Sequence, residues 1–121
     1  MTYSLTVAEH PTYLHTTVTG ESTAENALRF LRESHEACMA RGISSVLLEM
    51  NLQGSSIDTG SIYSVISQRS DTGKQLRKIA YVDTSSHGMA KARFAETVAV
   101  NRGVNVRLFK TVPDAKRWLE E

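Results

Sequence analysis

The chain has 121 residues, 40% of them hydrophobic and 22% charged, an ordinary globular composition that excludes the fibrous and disordered classes. Fourteen basic against thirteen acidic side chains leave a formal charge of +1, without the basic excess by which proteins grip nucleic acid through its phosphates. Two independent cores would each be too small at this length, so a single domain over residues 1–121 is expected.

Cys38 stands alone, so no intramolecular disulfide is available and nothing points to an oxidising compartment. The amino end, Met1-Thr2-Tyr3-Ser4-Leu5, lacks the basic start and apolar stretch of a signal peptide. The apolar run Val46-Leu47-Leu48 is interrupted by Glu49, and no run approaches the roughly twenty residues that cross a bilayer. A cytoplasmic protein without membrane insertion is expected.

Tyr3, Leu5 and Val7 alternate with Ser4 and Thr6, the pattern of a half-buried strand. Glu9-His10-Pro11-Thr12 reads as a turn, and a second strand follows with Leu14, Thr16 and Val18 on one face and Tyr13, His15 and Thr17 on the other. Together they predict a hairpin. Ser22-Thr23-Ala24-Glu25 fits a capping box with Ser22 as the cap, opening a helix with Ala27, Leu28, Leu31 and Cys38 at helical spacing and Gly42 at its end. Ser44 to Met50 is a compact apolar run, as expected of a strand covered on both faces.

Asp58 is a good cap for a second helix, and Ile57 and Ile62 occupy the staple positions around it; Ile62, Val65 and Ile66 form its inward stripe and Gly73 its end. Ile79 to Val82 is another buried strand. Ser85 or Ser86 is expected to cap a third helix with Ala90, Phe94 and Val98 on its inner face, stopping at Asn101-Arg102-Gly103. Val104, Val106 and Leu108 form a last strand, and Thr111 with Asp114 opens a final helix carrying Ala115, Trp118 and Leu119. The order β-β-α-β-α-β-α-β-α predicts an α/β domain with a mostly parallel sheet and an antiparallel hairpin strand at one edge.

Lys78-Ile79-Ala80-Tyr81-Val82, Phe94-Ala95, the run Asn101-Arg102-Gly103-Val104-Asn105-Val106-Arg107-Leu108-Phe109, and Ala115 with Trp118-Leu119 give the chain a likeness along nearly its whole length. It resembles the STAS-like domains, the fold of bacterial anti-sigma-factor antagonists, and within them the SpoIIAA-like branch. The resemblance implies a small cytoplasmic regulatory or ligand-sensing module. In the antagonists the helix after the central strand opens with Asp-Ser-Ser-Gly, and the serine before the glycine is phosphorylated by a partner kinase. Here the stretch is Asp58-Thr59-Gly60-Ser61, one residue shorter, with Thr59 before Gly60 as the acceptor would be.

In a parallel sheet the usable crevice lies beyond the carboxyl ends of the strands. That rim runs from Glu49 through Asn51 to Asp58, from Asp83 through Ser85 and Ser86 to Gly88, and from Phe109 to Thr111. Hydroxyls at helix amino ends suit an anion, although the same residues serve as ordinary caps. Glu49, Asp58 and Asp83 are expected on one lip, with Tyr63 shading it. No further oxygen-ligand spacing accompanies these acids, and no dinucleotide fingerprint, Walker lysine or nucleophile–base pair is present, so neither a metal, a cofactor nor a catalytic set is expected. Cys38, near the end of an amphipathic helix beside His35, reads as a buried structural thiol, and Lys91, Arg93, Arg102 and Arg107 as a solvated face.

The sequence therefore predicts a non-catalytic regulatory or protein-interaction module. Its contact surface would be the Met50–Ser56 loop and the start of the second helix, with Thr59 or Ser61 as phosphoacceptor. The alternative is a sensor or carrier for a small apolar, lipid-like or anionic molecule near Glu49, Tyr63 and Asp83. A homodimer would form through the hairpin edge strand or through Tyr63 and Val65.

Overall fold

A computed structural model describes residues 2–85 and 88–121. The elements are β1 (Tyr3–Glu9), β2 (Leu14–Glu21), α1 (Ala24–Arg41), β3 (Ser45–Gln53), α2 (Thr59–Gly73), β4 (Lys78–Asp83), α3 (Met89–Asn101), β5 (Val106–Phe109) and α4 (Val112–Glu120). The five strands lie in chain order, β1 antiparallel to β2 and every later pair parallel, which is the expected mixed α/β architecture. Three successive right-handed crossovers that all advance the same way put α1, α2 and α3 on one face. With no strand after β5, α4 folds onto the other.

Strand alternation divides the core accordingly. Leu14, Val18, Val46, Leu48, Met50 and Tyr81 face the three helices, whereas Tyr13, Leu47, Ala80 and Val82 lie under Ala115 and Leu119 of α4. α2 bridges α1 and α3 and scarcely touches the sheet. Arg69 Nε fastens it to α1 by donating to the Leu28 carbonyl at 3.2 Å. Among the described residues no helix is long and apolar enough to cross a membrane.

Local chemistry shifts four of the expected details. The cap of α1 is Thr23, which accepts from the Asn26 amide at 3.0 Å. Asn26 is buried and donates to the carbonyls of Thr2 and Glu21, which sets the helix start one residue later than the Ser22 box predicts. β3 continues to Gln53 because β2 offers a parallel partner as far as Glu21. The cap of α3 is Gly88, with no side-chain hydrogen bond, because the Ser85 hydroxyl is engaged at the sheet. The inner stripe of α3 is Ala92, Ala95, Val98 and Ala99; Ala90 is exposed and Phe94 only partly buried. Small residues there let α3 pack closely, where Phe94 would hold it off.

Candidate functional site

The carboxyl ends of β3 and β4 are sealed by hydrogen bonds. The Thr84 amide donates to the Met50 carbonyl at 2.9 Å, and the Leu52 amide donates to Ser85 Oγ at 2.9 Å. Asp83 Oδ1 accepts from the Ser85 amide at 2.8 Å, while its other oxygen takes the Tyr81 hydroxyl. Burial, then the neighbouring Asp83 charge, pushes the Tyr81 phenol well above its usual pKa, so Tyr81 stays a neutral donor.

From this sealed lip the chain runs through exposed Gln53 to Ser56 and turns into α2 at Asp58. Asp58 Oδ1 accepts from the Ser61 amide at 2.7 Å and Oδ2 accepts from the Ser61 hydroxyl at 3.2 Å. These bonds hold the Asp58 carboxyl below its ordinary pKa, with Lys91 as a lesser contributor. Lys91, in the first turn of α3, donates to the Ile57 carbonyl at 2.7 Å and to Ser56 Oγ at 2.8 Å. The two middle helices thus begin side by side. Ser61 is tied to the cap, whereas Thr59 is exposed at the first position of α2 and its hydroxyl has no hydrogen-bond partner among the described residues.

Three expected rim residues lie elsewhere. Glu49 and Asp83 are on opposite faces, because alternation turns Glu49 and Asn51 toward the α4 side of β3 while Asp83 shares the face of Tyr81. On that side Glu49 Oε1 is 2.7 Å from His15 Nε2 of β2, and Asn51 accepts from Gln53 Nε2 at 2.5 Å. Tyr63 does not shade a crevice: half exposed on α2, it lies 5.4 Å from the Arg102 guanidinium, which also donates to its hydroxyl at 3.1 Å and lowers its pKa. The carboxylates therefore form no shared cluster, and no group of three His, Cys, Asp or Glu able to hold a metal occurs among the described residues. Ser86, like His87, lies outside the described residues.

The concavity that does exist lies beneath α2. A cavity of about 120 Å³ lies between that helix and the sheet, walled by Phe30 of α1, Met50 of β3, Ile62 and Val65 of α2, Tyr81 of β4 and Ala95 of α3. None of Glu49, Tyr63 or Asp83 lines it. Its origin is the bridging position of α2, which spans two helices and leaves space over the strands.

Lys91 is the site residue that the sequence reading placed on a solvated face. It precedes buried Ala95 by one helical turn and so borders the inner stripe, a signal visible in the spacing alone. Cys38 is fully buried, and desolvation raises its thiol to about 11, which removes it from nucleophilic chemistry at neutral pH.

No protein-family model matches the sequence, and no curated protein sequence matches it. Solved structures resemble the fold, two of them as follows. One is an anti-sigma factor antagonist from Mycobacterium paratuberculosis, with 16% identity, a TM-score of 0.66, and coverage of 99% of this chain and 96% of that one. The other is an uncharacterised protein of the DUF3478 family with a SpoIIAA-like fold, from Shewanella loihica PV-4, with 14% identity, a TM-score of 0.57, and coverage of 97% and 93%. At these identities the likeness shows a STAS/SpoIIAA-like fold.

Proposed function

We propose that this chain is a non-catalytic regulatory module that docks a protein partner through the loop before α2 and the first turn of that helix, and that phosphorylation of Thr59 switches the docking. The observation that carries this reading is the contrast within the first turn: Ser61 is bound to its cap, while Thr59 is exposed and its hydroxyl has no partner among the described residues. A phosphate at Thr59 would meet the positive end of α2 and would oppose the adjacent Asp58 carboxylate. Adding about two negative charges beside a carboxylate changes the charge of that docking face. One fold neighbour is an anti-sigma factor antagonist, which supports a regulatory role. The test is incubation with host extract and ATP followed by phosphosite mapping. Label at Thr59, lost in Thr59→Ala and retained in Ser61→Ala, supports the switch; an unlabelled chain, or label confined to other sites, rejects it.

The cavity beneath α2 supports a second reading, a sensor of a small apolar molecule. Its lining is mainly apolar, which suits a small apolar molecule such as benzene. Benzene titrated against the protein should raise the unfolding midpoint, and a midpoint unmoved up to saturation would remove this reading.

A further inference from the structure

We propose that β1 is a pairing edge, and that a second copy of this chain docks on it, strand against strand, about a two-fold axis through Thr6. The two edges of the sheet differ in how they treat their outward backbone. On β5 the Ile79 amide donates to the Asn105 carbonyl, so odd-numbered residues face β4 and the amides of Val106 and Leu108 point outward. Both are engaged: Val106 N–H donates to the Val104 carbonyl at 3.1 Å, and Leu108 N–H donates to the Glu96 carboxylate of α3 at 2.6 Å. That edge is also only four residues long and carries exposed Arg107. It is closed to further pairing.

Along Tyr3 to Ala8, β1 has none of these devices. At its two ends Glu21 N–H donates to the Thr2 carbonyl and His10 N–H donates to the Tyr13 carbonyl, so even-numbered residues face β2 and the backbones of Tyr3, Leu5, Val7 and Glu9 face outward. Those groups have no partner within the described residues. The strand runs seven residues in unbroken register, with no proline, lysine or bulge before Glu9.

An antiparallel second copy centred on Thr6 sets Leu5 opposite Val7 twice and Tyr3 opposite Glu9 twice. The apolar pairs cover Val7, which is otherwise 37% exposed. Charge in the same register is net positive: Arg29, 4.2 Å from the Tyr3 ring centroid and 3.3 Å from Glu33 of its own chain, and Arg32 together outnumber that one carboxylate beside Tyr3, where Glu9 of the second copy arrives. The Glu9 side chain, 62% exposed, pairs with Arg41 of its own chain at 3.4 Å, a solvent-exposed ion pair that costs little to exchange.

Sedimentation equilibrium of the full chain tests this. The wild type should dimerise. Val7→Pro removes an N–H that serves only the second copy, leaving the β1–β2 ladder whole, and should raise the dimer dissociation constant at least about tenfold. Val7→Lys reads the same edge if the proline variant misfolds, with circular dichroism confirming the fold in each. Glu9→Arg and Arg29→Glu should each weaken the dimer, and the double variant should recover it. A chain that stays monomeric at every concentration, or a dimer indifferent to both Val7 variants, overturns the proposal, as does an unrelated extended peptide taking the edge of a monomer.

Discussion

Lys91 Nζ lies 2.7 Å from the Ile57 carbonyl oxygen, so the first turn of α3 grips the residue just before the Asp58 cap of α2. A single flexible side chain thereby joins the starts of two helices that the sequence separates by a whole strand. The exposed loop of Gln53 to Ser56 is framed between the sealed ends of β3 and β4 on one side and this ammonium on the other. It is presented on a fixed support.

Replacing Lys91 with methionine keeps the aliphatic stem and deletes the charged donor. The Ile57 carbonyl and Ser56 hydroxyl then lose their partner, at a cost of about 1–2 kcal/mol in urea unfolding. Hydrogen exchange should accelerate at residues 56–61 and remain unchanged in β1 and α4.

Phe30 is fully buried and forms a wall of the cavity beneath α2. Phe30→Ala should cost about 3–5 kcal/mol in chemical denaturation, near the upper end for such truncations, because the existing space already limits how far the neighbours can collapse. A loss below about 1 kcal/mol would mean that α2 settles onto the sheet.

Alkaline pH should weaken the fold through Cys38. The folded thiol, raised to about 11 by burial, keeps its proton after the unfolded thiol, near pKa 8.5, has begun to lose it. The stabilisation is complete below about pH 8.5 and declines as pH rises toward 11, and Tyr81 adds to the loss in the same direction. Thermal melts of the wild type and Cys38→Ser across that range should diverge less as pH rises. A thiol reagent at neutral pH should label Cys38 only in denaturant.

Gly20 pairs with Tyr3 at φ 137°, and a Cβ there would lie 2.4 Å from the Thr2 carbonyl oxygen. Gly20→Ala must therefore move the entry of β1, with a cost of about 2 kcal/mol or more and loss of protection in the first strand. Gly54→Ala is the informative control: its backbone is also left-handed in φ at 111°, but nothing lies within 4 Å of the added atom.

The architecture was legible because each strand and helix carries its own period. Asp58 and Thr111 were found as caps for the same reason: an N-cap bonds its own helix three residues on, as they do at Ser61 and Asp114. Ser22 and Ser85 do not cap, because other groups decide their roles: the Asn26 carboxamide donates to the Glu21 carbonyl beside one, and the Leu52 amide donates to the hydroxyl of the other. The site was harder still. Glu49 reads as a rim acid in one dimension, but alternation alone sends it to the opposite face from Asp83, where His15 meets it. The cavity left no sequence signature, since it arises from how α2 rests on two other helices.

A photo-crosslinking amino acid placed at Ser55, with another at Lys116 on α4 as a distant control, tests the docking face most directly in host extract. The account predicts a discrete partner crosslinked from Ser55 but not from Lys116, with the yield changed at least about tenfold when Thr59→Glu adds a negative charge to the first turn of α2. Equal crosslinking from both positions, or a yield from Ser55 that ignores the charge at Thr59, would contradict it.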